Sequence, residues 1–158
     1  MKSIRIFIAL LSLVVMVGCA TGPKYTPAPA APEGSATIYF MNSSYGGVVS
    51  PLKSFCVNSV KIGSIGFGGY TWITAKPGDY VIGIAGMSGC PEDYGNAKGK
   101  LKINTTIESG GIYIVEYKTV DMGVLVETTL EITDFEDGGI HKKRLQGSRY
   151  SESLVNSI

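Results

Sequence analysis

Histidine occurs once in these 158 residues, tryptophan once and cysteine three times. Each shortage excludes a class of chemistry. A structural zinc site takes four ligands at close paired spacings. His141 and the two cysteines beyond Cys19 do not supply them, so no metal and no other cofactor is expected. There is no C-x-x-C, and no G-x-S-x-G to set a serine on a nucleophile elbow. The stretch "GNAKGK" (95–100) has one residue too few between its glycines for a phosphate loop. Leu101 also stands where Ser or Thr would hold magnesium. No basic stripe with interleaved aromatics appears, so nucleic acid is not an expected partner. No apolar run reaches the roughly 20 residues that a membrane-spanning helix needs.

What is present begins with an address. Lys2 and Arg5 precede an apolar run from Ile6 to Val17, broken only by Ser12, which ends in Gly18-Cys19. That is the charged start, apolar centre and small-residue exit of an export signal. The stretch Met16-Val17-Gly18-Cys19 resembles the lipobox of bacterial lipoproteins, with Met16 in place of the usual Leu. In those proteins the cysteine thiol takes a diacylglyceryl group, the signal is cut just before it, and the new amine is commonly acylated. The resemblance implies that residues 1–18 are a signal peptide and that Cys19 is the lipidation site. The membrane is then a partner through that lipid, since two or more acyl chains anchor stably where one holds marginally. Ala20 rather than Asp after the cysteine resembles lipoproteins sorted to the Gram-negative outer membrane, facing the periplasm. Without Lys2 and Arg5 the 14 basic residues become 12 against 13 acidic ones, a mature charge near −1.

Residues 19–35 read as a lipidated cysteine and a Pro-rich tether. "ATGPKYTPAPAAPEGS" (20–35) carries four of the seven prolines and few large apolar side chains. Such a segment favours extended polyproline II at about 3.1 Å per residue, which would hold a domain up to roughly 50 Å from the bilayer. Residues 36–135 read as one all-β domain, an antiparallel β-sandwich of about seven to eight strands, and 136–158 as a polar C-terminal tail. The strand signals are short β-branched and aromatic runs bounded by Gly, Pro, Asn and Asp, from "ATIYFMN" to "LVETTLEITDF". Val126, Thr128, Leu130 and Ile132 alternate with Glu127, Thr129 and Glu131. Leu101, Ile103, Thr105 and Ile107 alternate with Lys100, Lys102, Asn104 and Thr106. One wet and one dry face per strand is the pattern of an antiparallel sandwich. Lys76-Pro77-Gly78-Asp79 places Pro and Gly where a type II turn wants them.

"VNSVKIGSIGFGGYTWITAKPGDYVIGI" (57–84) and "IESGGIYIVEYKTVDMGVLVETTLEITD" (107–134) resemble an uncharacterised domain family of small bacterial lipoproteins. Its members read roughly v-D-G-k-x-I-G, an aromatic strand, P-G-x-H-x-I, then a Gly-bounded aromatic strand. Asn58-Ser59 stands here for the usual Asp-Gly, and Tyr80 for the frequent His. The resemblance implies an immunoglobulin-like or transthyretin-like sandwich and no established activity.

The residues that could carry chemistry each have two readings. Cys56 and Cys90 can form a disulfide in an oxidising compartment, stay as free thiols, or leave Cys56 as a nucleophile served by His141. Glu92-Asp93 and Glu136-Asp137 are either solvated loop charges or a calcium or acid–base pair. "HKKR" (141–144) is either a solvated tail or a contact for anionic headgroups. Tyr70 and Trp72 on one strand, and Tyr113 and Tyr117 on another, are either core or a weak binding platform. The expectation is a non-enzymatic, membrane-anchored binding or structural module of the envelope, its ligand unknown, with an envelope protein as a candidate partner. The alternatives are an envelope hydrolase using Cys56 or a carboxylate pair, and an inhibitor or chaperone that offers an edge strand.

Overall fold

The computed structural model describes residues 22–44, 52–86, 89–90, 101–121, 126–136 and 139–158. The β-branched and aromatic runs become strands β1 (Ala36–Asn42), β2 (Lys53–Val57), β3 (Val60–Ile65), β4 (Gly69–Ala75) and β5 (Gly78–Ile84). They continue as β6 (Lys102–Ile107), β7 (Ile112–Asp121), β8 (Val126–Asp134) and β9 (Arg149–Tyr150), with helix α1 (Gly139–Gln146) before the last. A five-stranded sheet in the order β8-β7-β1-β4-β9 faces a four-stranded sheet in the order β3-β2-β5-β6. This is the expected all-β sandwich, with nine strands among the described residues.

The smaller sheet is antiparallel throughout. The larger one is mixed, because β1 runs parallel to β7 and β4 parallel to β9. Parallel neighbours need a crossover, and between β1 and β7 the crossover contains the whole second sheet. Consecutive β1 and β2 lie in opposite sheets. In the immunoglobulin arrangement the first two strands share one.

Alternation sorts the side chains. Ile38 and Phe40 of β1 enter the inter-sheet core with Phe55, Val57, Ile62, Ile73, Ile82 and Val115. The Phe40 and Phe55 ring centroids are 5.4 Å apart. Leu130, Ile132, Leu101, Ile103 and Ile107 meet the same core, as their spacing predicts. Burial of one such side chain contributes about 1.5–3 kcal/mol. Tyr39 and Met41 point the other way, into a second cluster with Tyr70, Ile114 and Leu145. All seven residues of β1 are therefore buried.

Two turns differ in kind. Asn58 and Ser59 both take positive φ, 46° and 67°, as the two-residue link between β2 and β3. That is the hairpin geometry which matches strand twist. The Asn58 side chain accepts the Val81 N–H at 2.8 Å, which ties the turn to β5. The expected type II turn at Lys76-Pro77-Gly78-Asp79 does not form, since Gly78 has a φ of 154° and already belongs to β5. The reason is topological: the segment carries the chain from one sheet to the other. Tyr80 donates its hydroxyl to the Lys76 carbonyl at 2.7 Å and closes that corner.

The termini correct the expected domain boundaries. Residues 136–158 are not a polar tail: they include α1 and β9, and Leu145 is fully buried. Ile158 still pairs with Thr74 through its N–H at 3.0 Å. The described part of the Pro-rich segment is docked as well. Tyr25 donates its N–H to Ser148 O at 3.0 Å, and Tyr150 donates to Pro23 O at 2.8 Å, so the segment runs antiparallel beside β9. Gly22 lies so close that a Cβ there would fall 1.9 Å from Tyr150 O. The physical cause is the outer face of the larger sheet. Tyr39, Met41, Tyr70 and Ile114 would present a large apolar surface to water, and residues of the 22–35 and 139–150 segments fold over it.

Candidate functional site

The described residues place their main polar cluster on that outer face, under α1. Glu116 of β7 is 1% exposed, and its cross-strand partners are Met41 and Glu131. A buried carboxylate must be paired and hydrogen-bonded. Arg144 donates to its Oε1 at 2.9 Å, Ser43 donates its hydroxyl to the same oxygen, and His141 Nδ1 meets Oε2. The second ring nitrogen of His141 lies 4.0 Å from a Glu131 oxygen. Residues 141 and 144 are one helical turn apart, so α1 presents both to the sheet at once.

The order of these groups decides what they can do. Nucleophilic activation needs a hydroxyl or thiol against a base, with the carboxylate behind the base. Here the carboxylate stands between Ser43 and His141, so the imidazole has no path to the hydroxyl proton. The cluster is a latch that neutralises Glu116 and fixes α1 on the sheet.

Cys56 lies elsewhere. Its neighbours Phe55 and Val57 face the inter-sheet core, so Cys56 points out of the smaller sheet, whereas His141 covers the outer face of the larger one. Packed sheets are about 10 Å apart, and no Cys56–His141 pair exists. Cys56 instead meets Cys90 at disulfide geometry, with an S–S distance of 1.97 Å and Cα atoms 5.8 Å apart. Closing 34 residues contributes roughly 3–4 kcal/mol in the chain-entropy model. A β-bulge between Phe55 and Cys56 sits beside it.

The four aromatics do not form one platform. Tyr70 and Trp72 belong to the outer cluster, where Tyr70 contacts Tyr25 and Tyr150 at 5.4 and 5.6 Å between centroids. Tyr113 and Tyr117 pack into the inter-sheet core, and Lys53 Nζ lies 4.9 Å above the Tyr117 ring. Cys19, Glu92, Asp93 and Asp137 lie outside the described residues; Glu136 is exposed, its N–H bound to Asp134. Among the described residues no three His, Cys, Asp or Glu side chains converge as a metal site, and no helix is long and apolar enough to cross a membrane.

Docking of the N-terminal segment also forms a groove of about 580 Å³. Pro27, Pro29, Pro32, Tyr39, Phe135 and Lys142 are among the residues that line it. Lys142 Nζ lies 4.2 Å over the Phe135 ring.

Sequence reasoning missed Glu116 and Arg144. A signal was present in "GIYIVEYKTV": Ile114 and Glu116 share one face while Val115 and Tyr117 share the other. A strand apolar on both faces is covered on both, so a carboxylate in its middle, Glu116, needs a cation from outside the sheet. No family model, no curated protein and no solved structure matches the chain.

Proposed function

We propose that this protein is a lipid-anchored, non-enzymatic module of the bacterial envelope that acts by binding or as a structural part. The observation that carries the reading is the lipobox-like Met16-Val17-Gly18-Cys19 three residues before Gly22, where the chain begins to pair with the sandwich. The Cys56–Cys90 geometry favours an oxidising compartment such as the periplasm. Ala20 favours the outer membrane. The carboxylate-centred order of Ser43, Glu116 and His141 supports a scaffold rather than a nucleophile. The groove, lined by prolines, alanines, glycines and aromatics together with Glu33, Lys142 and a few other polar residues, gives a binding role a concave surface.

Mass spectrometry of the membrane-extracted protein tests the anchor. A diacylglyceryl adduct on Cys19 and loss of residues 1–18 are expected, with Cys19→Ser released to the soluble fraction. An unmodified Cys19 in membrane extracts contradicts the reading.

A further inference from the structure

Among the described residues the two sheets end in four edge strands, β8 and β9 of the larger and β3 and β6 of the smaller. A bare edge is a row of unpaired N–H and C=O groups, which proteins cover or defend with Lys, Pro, a bulge or a short strand. The chain covers two of the four itself. Residues 22–25 pair with β9. The Leu154 N–H and the Ser153 hydroxyl both donate to Ile62 O of β3, at 2.7 and 3.1 Å, and Asn156 O accepts the Thr74 N–H of β4. β6 is six residues long and begins with Lys102. β8 is nine residues long, VETTLEITD, without Lys or Pro. It pairs with β7 in one unbroken register from Tyr113↔Asp134 to Asp121↔Val126, so no bulge turns it away. Among the described residues nothing pairs with its other side.

The groups on that bare side can be named. Phe135 donates its N–H to Ile112 O at 2.7 Å, one step beyond the Tyr113↔Asp134 pair. Bonded and non-bonded pairs alternate along an antiparallel ladder. The odd-numbered residues of β8 therefore bond to β7, and Thr128, Leu130 and Ile132 turn their N–H and C=O outward. β7 agrees, since Tyr117 O accepts the Ser43 N–H on the β1 side and is not spent on Leu130, its partner in β8. The Leu130 and Ile132 side chains pack into the core, so at these positions the edge offers backbone.

Charge decides what pairs there. From Val120 to Ile140 the sequence carries Asp121, Glu127, Glu131, Asp134, Glu136 and Asp137, six of its 13 acidic residues, and no Lys or Arg. Asp134 and Glu136 are exposed, and the Glu131 side chain is 42% exposed. The cations nearby lie on other elements: Lys118 on β7 opposite Thr129, His141 with Nε2 4.0 Å from Glu131, and Lys142 over the Phe135 ring. Like charges across paired strands oppose pairing and opposite charges favour it. A second copy of β8 is thus repelled, and a strand that bears Lys or Arg is drawn in. We propose that the outer edge of β8 is a β-augmentation site for an extended basic segment of an envelope protein, which adds a strand to the larger sheet. Thr128, Leu130 and Ile132 supply the main-chain bonds, and Glu131 and Asp134 meet the partner's cations. The proposal rests on the reading of this protein as a binding module and not on the lipid at Cys19, so the mass spectrum of Cys19 and the experiment below fail separately.

The test adds an acetylated and amidated octapeptide of alternating Lys and Val to the full chain in non-ionic detergent, and reads amide exchange by nuclear magnetic resonance. At saturating peptide the Leu130 and Ile132 amides should exchange at least about tenfold more slowly, with the β1 amides unchanged. The same octapeptide built from alternating L- and D-residues, which keeps the charge and loses the strand, should give no such protection. Glu131→Gln should weaken binding about two- to fivefold. Thr128→Pro removes one outward N–H and keeps the bonds to β7, so it should abolish the protection with the circular dichroism unchanged. Peptide that binds without slowing Leu130 and Ile132 is held by charge alone and overturns the proposal. Equal binding of an octapeptide of alternating Glu and Val, or no binding at millimolar peptide, also overturns it. So does protection of the two amides without peptide that grows with protein concentration, because the edge then belongs to a second copy.

Discussion

The two faces of the five-stranded sheet are both buried, yet by different means. The inner face meets a second sheet mainly through aliphatic and phenylalanine side chains, with Phe40 against Phe55, together with Tyr80, Tyr113 and Tyr117. The outer face meets no sheet. It is covered by residues from 22–35 and 139–150, and its contacts combine tyrosines that have hydroxyl partners with Met41, Ile114, Leu145 and one ion cluster. Tyr70 exchanges hydrogen bonds with Thr26, and Tyr39 accepts the Ala28 N–H at 2.8 Å. The inner face makes the domain, and the outer face decides where its termini lie.

The difference can be broken from the inside first. Phe40→Ala leaves a cavity in the inter-sheet core and should cost about 3–5 kcal/mol. A single cooperative loss of structure is expected in denaturant, read by circular dichroism. Leu145→Ala removes the apolar anchor of α1 and should cost about 2–4 kcal/mol. That loss should appear first in α1 and β9, with the inner core still folded at denaturant levels that already free the C-terminus. Tyr39→Phe keeps the ring but strands the Ala28 N–H, a change of about 1 kcal/mol, so amide exchange at Ala28 should rise while the global midpoint hardly moves.

The smallest effect is alkaline. Burial, followed by the hydrogen bond to Tyr39 and the nearby Tyr39 and Tyr70 oxygens, pushes the Tyr25 phenol well above its ordinary value near 10. The neutral form is thus favoured in the folded state. Its contribution is fully present below about pH 10 and is lost as pH rises through the folded value. A late-titrating phenol should appear by absorbance and be missing from Tyr25→Phe. A Tyr25 that titrates near its ordinary value would mean that the segment is not docked.

The inner face was legible because strand periodicity states it directly. Leu130 with Ile132, and Leu101 with Ile103 and Ile107, fall on the core side that their spacing assigns, and the candidate thiols Cys56 and Cys90 meet. The outer face was not legible. "PKYTPAPAAP" has the composition of a free tether, and Tyr25 within it gains its partners only once β1, β4 and β9 are side by side. The run "HKKR" shows charge, not the buried Glu116 that draws His141 and Arg144 inward. Local pattern carries strand faces, but it does not carry a face completed by residues more than 100 positions apart, such as Pro23 and Tyr150.

The central claim is that residues 22–35 and 139–158 belong to the folded domain, and native-state amide hydrogen exchange on the mature chain tests it most directly. The amides of Tyr25, bonded to Ser148 O, and of Tyr150, bonded to Pro23 O, should be protected well beyond free-chain rates. They should open together, and more easily than the β1 amides. Free-chain exchange at Tyr25 and Tyr150 alongside full protection of β1 would contradict the account, returning residues 22–35 to a free tether.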